Sequence, residues 1–161
     1  MFECSPDHAL VTQAQFDAVA ELLGRPPQGS FSVAVAHPDG RPVVIANAPL
    51  LDDGTPMPTR YWLVDAELRR RVSQLEGHGG VRMAQAAVDA DDLAAAHERY
   101  AADRDALISA DHLGPRPSGG VGGTARGVKC LHAHLAYRLA GGLDPVGDWV
   151  LDRLVDLGAR S

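Results

Sequence analysis

FSVAVAHPDGRPVVIANA, residues 31–48, is the stretch whose reading decides the fold. Residues 31–36 alternate and, with residues 43–48, are rich in small and β-branched side chains, which suit a pleated, half-buried backbone. Between them His37-Pro38-Asp39-Gly40 is a turn, because proline presets one dihedral and glycine accepts a positive one. The stretch therefore predicts a β-hairpin. Downstream, PLLDDGTPMPT (49–59) carries three prolines and is too rigid for a linker and too irregular for an element. It reads as a stiff crossover or as the border of a site. RYWLV (60–64) then supplies a third strand.

Around this sheet the periodicity turns helical. Upstream, Thr12 and Gln15 form a capping box for a helix carrying Phe16, Val19, Leu22 and Leu23, ended by Gly24 and the following prolines. Downstream, helices are expected from Asp65 or Ala66 through Leu75, over 81–88, from an Asp91 cap to about Ala110, over 128–140, and from Asp144-Pro145 onward. The fold class is α+β: a small three-stranded antiparallel sheet covered by about five or six helices, in one domain over residues 1–161.

A chain of 161 residues, 45% hydrophobic and 22% charged, has the composition of a globular domain with a real core. Its net charge of −6 argues against a general affinity for nucleic acid or anionic membrane, both of which reward a basic face. Two cysteines, Cys4 and Cys130, cannot build a disulfide framework, and MFECSPDHAL lacks the pattern of a signal peptide. No apolar run is long enough to span a bilayer, so a cytoplasmic location is expected.

The chemistry concentrates in GGVGGTARGVKCLHAHLAYRLAGG, residues 119–142. On a helix over 128–140, Val128, Leu131, Leu135 and Leu139 form the core arc. Cys130 and His134 then stand one turn apart on one edge, and His132 borders the opposite side. That spacing makes Cys130 and His134 the natural pair for zinc or iron, completed by His8, His78, His97 or Cys4. A buried cysteine beside partly exposed histidines is the structural alternative. Arg126, Lys129 and a helix N-terminus favour a Cys130 thiolate and make the glycine loop an anion cradle, as against a loop with solvated cations. It is no P-loop, since the Gly-Lys-Ser/Thr ending is missing. Independently, Leu93, His97, Tyr100, Arg104 and Leu107 make one helical stripe, so the three polar members face inward and need partners. Those partners are either a carboxylate such as Glu76 or a ligand, for which Arg104 offers a bidentate fork.

GTPMPTRYWLVDAELRRRVSQLE (54–76), AAHERYAADRDAL (95–107) and GVKCLHAHLAYRLAGGLDPVG (127–147) resemble the DUF501 family of bacterial proteins, as do LLGRPPQG (22–29) and APLLDDGTPMPT (48–59). The resemblance points to Gly54, Pro56, Pro58, Thr59, Tyr61, Lys129, Cys130 and His132, and favours His132 over His134. It implies a mainly actinobacterial source and brings no established activity with it.

Three functions follow as expectations. The first is a pocket for a small anionic molecule, of phosphate or carboxylate type, held by Arg126, Lys129, His97, Tyr100, Arg104 and Thr59. As an enzyme it would use Cys130 as nucleophile and His132 as base in acyl or phosphoryl hydrolysis. The second is a zinc or iron protein using Cys130 with His132 or His134, and the third a non-catalytic interaction protein. Whether Cys130 and Arg104 share a cavity separates the first from the others.

Overall fold

Val43, Val44, Ile45 and Ala46 are all buried, so the strand that holds them is the spine of the sheet. The computed structural model describes residues 3–4 and 11–159. In it β1 (Glu3–Cys4), β2 (Phe31–Ala36), β3 (Pro42–Asn47) and β4 (Tyr61–Leu63) form one antiparallel sheet in the order β1-β2-β3-β4. The three expected strands are present, and the two-residue β1 extends the sheet beyond β2. The hairpin closes through hydrogen bonds from His37 N to Arg41 O and from Gly40 N to His37 O, with Gly40 at φ 88°. A side chain is strained there, and glycine is not.

Among the described residues six α-helices accompany the sheet: α1 (Gln13–Leu23), α2 (Ala66–Gly77), α3 (Gly80–Ala87), α4 (Ala90–Asp105), α5 (Leu131–Leu139) and α6 (Pro145–Ala159). Ile45 and Val64 pack with Val19 of α1, whereas Val44 and Leu63 join the main core with Leu131, Leu135, Val150 and Leu154. Two apolar clusters thus meet at the sheet, one through Ile45 and Val64 and the other through Val43, Val44 and Leu63. Among the described residues no helix is long and apolar enough to cross a membrane.

Two helix starts differ from the sequence reading. Asp89, rather than Asp91, caps α4, because its carboxylate accepts the N–H groups of Asp91 and Asp92 at 2.9 and 3.0 Å. The helix also ends at Asp105 instead of near Ala110. More consequentially, α5 begins at Leu131 instead of Val128. Gly127 sits at φ 65°, the Val128 N–H is taken by Gln85 Oε1, and Cys130 is extended at φ −146°, ψ 117°. Contacts distant in sequence delay the start of the segment's helix, a case of tertiary structure overriding propensity.

Candidate functional site

Cys130 is the N-cap of α5, and this one backbone fact reorganises the chemistry. In a continuous helix, residues two apart diverge by about 200°. The extended cap instead brings Cys130 Sγ to 3.9 Å from His132 Nδ1. Glu76, in the last turn of α2, places Oε1 2.8 Å from the Leu131 N–H and 3.2 Å from the same Nδ1. The carboxylate thereby satisfies a free N–H at the start of α5. On the far side of the ring, Nε2 lies 3.2 Å from both the Arg69 carbonyl oxygen and Ser73 Oγ. The hydrogen bond to Cys130 and the Glu76 charge hold the imidazole's pKa above its ordinary value, against the opposing effect of burial. The donor atoms of Glu76, Cys130 and His132 all lie within 4.8 Å of one another.

Cys130 and His132, but not Glu76, open on a cavity of about 500 Å³, within the range of small-molecule sites. Cys130, His132, Thr59 and Arg69 line it, with Tyr61 and Trp62 among its apolar walls. Arg104, Arg126 and Lys129 do not line it, so Cys130 and Arg104 share no cavity there. A larger groove, about 590 Å³, runs past Phe16, Phe31 and Leu107. Its charged residues are Asp52 and Arg60. Arg60 is already engaged by the Asn47 carbonyl and the Tyr61 ring, whereas Cys130, His132 and Arg69 all line the smaller cavity.

A family model described as "Protein of unknown function (DUF501)" matches residues 33–152. The chain belongs to the DUF501 family. No curated protein and no solved structure matches it. The DUF501 span starts within β2 and ends within α6, and it includes Glu76, Cys130, His132, Arg69 and the α4 stripe.

Within that span the stripe faces inward as its period predicts, with His97, Tyr100 and Arg104 buried and Leu107, past the helix end, exposed. Among the described residues its partners are backbone groups and the Asp105 carboxylate, not Glu76. His97 Nδ1 accepts the Val121 N–H at 3.0 Å and Nε2 donates to Gly127 O at 2.9 Å, clasping the glycine loop at both ends. Tyr100 Oη accepts the N–H groups of Arg60 and Tyr61. Arg104 Nη1 donates to Pro58 O at 3.0 Å and Gly119 O at 2.9 Å, and Nε to the Asp105 carboxylate. Burial lowers the His97 pKa and pushes the Tyr100 phenol up to about 12. The stripe is a staple joining the two loops that carry Thr59 and Cys130. It also explains the glycine at 120, where a Cβ would stand 2.6 Å from His97 Cβ.

His134 does not join Cys130. It is fully buried, with Nδ1 2.6 Å from Asp144 Oδ2 and its ring edge-on to His97. The expected i,i+4 metal pair fails because only His134 lies inside the helix, and the cluster able to hold a metal among the described residues uses His132. Of the other proposed ligands, His97 is spent on the loop and His78 on Gln74 O. His8 and the Cys4 side chain lie outside the described residues. Arg126 and Lys129 are exposed. Sequence reasoning missed Arg69, Ser73 and Glu76 as a group. They recur at i, i+4 and i+7, one face of α2, which is a readable signal.

Proposed function

We propose that this protein is a metal protein of zinc type, whose ion is held by Glu76, Cys130 and His132 with a fourth position open to the cavity. The observation that carries this reading is the orientation of His132. Arg69 O accepts hydrogen bonds and cannot donate, so Nε2 carries a ring proton, and in the neutral ring that a metal requires Nδ1 turns its lone pair toward the thiol and the carboxylate. A histidine ligand anchored through its other nitrogen on a backbone carbonyl is the usual outer support of a metal site.

The spacing agrees. With tetrahedral zinc at standard bond lengths, N···S is about 3.6 Å and N···O about 3.3 Å. The separations here are 3.9 and 3.2 Å, with all three donor atoms within 4.8 Å of one another, so the Cys130 side chain has to move inward to close the site. Thiolate, imidazole and carboxylate together suit zinc better than the harder divalent ions. Three protein ligands and one open position are the pattern of catalytic zinc, where a bound water is acidified for hydrolysis.

The Cys-dependent hydrolase uses the same residues differently. It needs one ring nitrogen on the thiol and the other on an orienting acid. Here Glu76 and Cys130 both face Nδ1, which favours the metal. Elemental analysis of protein purified without a histidine tag tests the reading. About one zinc per chain is expected, lost in Cys130→Ser and His132→Gln; chains that remain metal-free after incubation with zinc refute it.

A further inference from the structure

We infer that the open side of this centre takes a small monocarboxylate with an apolar or aromatic body, its carboxylate shared between the ion and Arg69. The inference rests on the metal reading above and adds the ligand class.

Charge sets the first constraint. A divalent ion with the Cys130 thiolate and the Glu76 carboxylate is neutral as a unit, and Arg69 leaves the lining with one net positive charge. A carboxylate carries one negative charge at neutral pH, whereas a phosphate monoester carries nearly two. The position of Arg69 sets the second. Its Nη1 donates to Leu22 O at 2.9 Å, tying the guanidinium across the cavity to the end of α1. Its own carbonyl meets His132 Nε2. The side chain and the metal ligand are therefore registered to one another by a single residue of α2. Its remaining guanidinium N–H groups bond to no described residue and present the fork that suits a carboxylate.

The third constraint is the rest of the wall. Leu23, Tyr61, Trp62, Leu63 and Ala133 line the same cavity, and the Arg25 guanidinium lies over the Trp62 ring at 5.8 Å from its centroid. Such a surface rewards an apolar body, since its burial removes area from water that a bare inorganic anion cannot. At about 500 Å³ there is room for a ring or short chain beyond the head group.

The test uses the zinc-loaded full chain and its cobalt-substituted form, with benzoate, acetate, benzamide and inorganic phosphate as probes. Metal content is measured first, so that failure of the centre is distinguished from failure of the ligand class. Benzoate is expected to perturb the cobalt absorption saturably and to bind at least about tenfold more tightly than acetate, benzamide or phosphate. Arg69→Gln, which keeps the backbone carbonyl, is expected to weaken benzoate about tenfold or more while leaving the metal stoichiometry unchanged. Metal-loaded protein that binds phosphate more tightly than benzoate, treats benzoate and benzamide alike, or ignores the Arg69 change overturns the inference.

Discussion

Replacing Arg104 by methionine tests the staple most directly. The side chain is 1% exposed, and its Nη1 spans two loops by donating to Pro58 O and Gly119 O. Methionine fills most of the volume of the stem but leaves both carbonyls without that donor. Pro58 and Gly119 are half-buried, and each acceptor left without its donor costs about 1–3 kcal/mol to the extent that water cannot replace it. Removing a buried guanidinium recovers part of its desolvation, and the lost Asp105 contact matters little because that carboxylate is 44% exposed. The balance is a loss of about 3 kcal/mol. Urea denaturation followed by far-UV circular dichroism measures it, with Arg126→Met as the control. Arg126 is exposed, and its replacement is expected to stay within the scatter of ordinary surface changes. Because the freed loops carry Thr59 and lead to Cys130, zinc affinity should fall in the same variant. A destabilisation below about 1 kcal/mol, or one matched by the control, would mean that Arg104 holds nothing and that its burial is incidental.

Three further outcomes follow from the same geometry. Gly120→Ala places a Cβ against His97 Cβ and Nδ1 at 2.6 and 2.7 Å, at a cost of about 1–3 kcal/mol, and hydrogen exchange should show the Val121 amide losing its protection. Tyr100→Phe strands the Arg60 and Tyr61 N–H groups and should cost about 1–3 kcal/mol; an unchanged urea midpoint would show that those amides find other partners. Burial opposes ionisation of Asp65, but the His37 and Leu68 hydrogen bonds outweigh it and hold the carboxyl below its ordinary value of 3.8. Its stabilising contribution is therefore complete above that value and lost as pH falls through the folded one. Asp65→Asn, which keeps a capping side chain, should flatten the decline of unfolding free energy between about pH 5 and pH 3, and identical slopes would contradict this sign.

The fold was readable where local chemistry and tertiary structure agree. The alternation of residues 31–36, the Asp39-Gly40 turn, the Thr12/Gln15 capping box and Pro145 at the start of α6 each bear the same local instruction that the packed chain obeys. The extra strand Glu3–Cys4 escaped because two residues carry no period. The misplaced α4 cap has a similar cause. Asp89, Asp91 and Asp92 are all competent N-caps by residue type, and only the packing of Leu93, Ala96 and Tyr100 decides which turn comes first.

The site shows why a motif's composition can be read correctly and its geometry wrongly. Placing Cys130 inside a helix separates it from His132 and pairs it with His134, and every step of that phase reasoning is sound for a continuous helix. The helix is not continuous, because Gln85 takes the Val128 N–H and Glu76 takes the Leu131 N–H. Neither acceptor is visible from residues 119–142, since each lies outside that stretch and more than forty positions from the N–H that it takes. Glu76 is thus both the group that starts α5 at Leu131 and the group that stands beside Cys130 and His132. The capping and the clustering have one cause. It follows that Glu76→Gln and Glu76→Ala must differ. Glutamine still offers an oxygen to the Leu131 N–H and should keep α5 in place while weakening the metal. Alanine removes both functions and should cost stability as well, by about 1 kcal/mol or more. If the two variants were equally stable and both retained zinc, the carboxylate would be neither the cap nor a ligand.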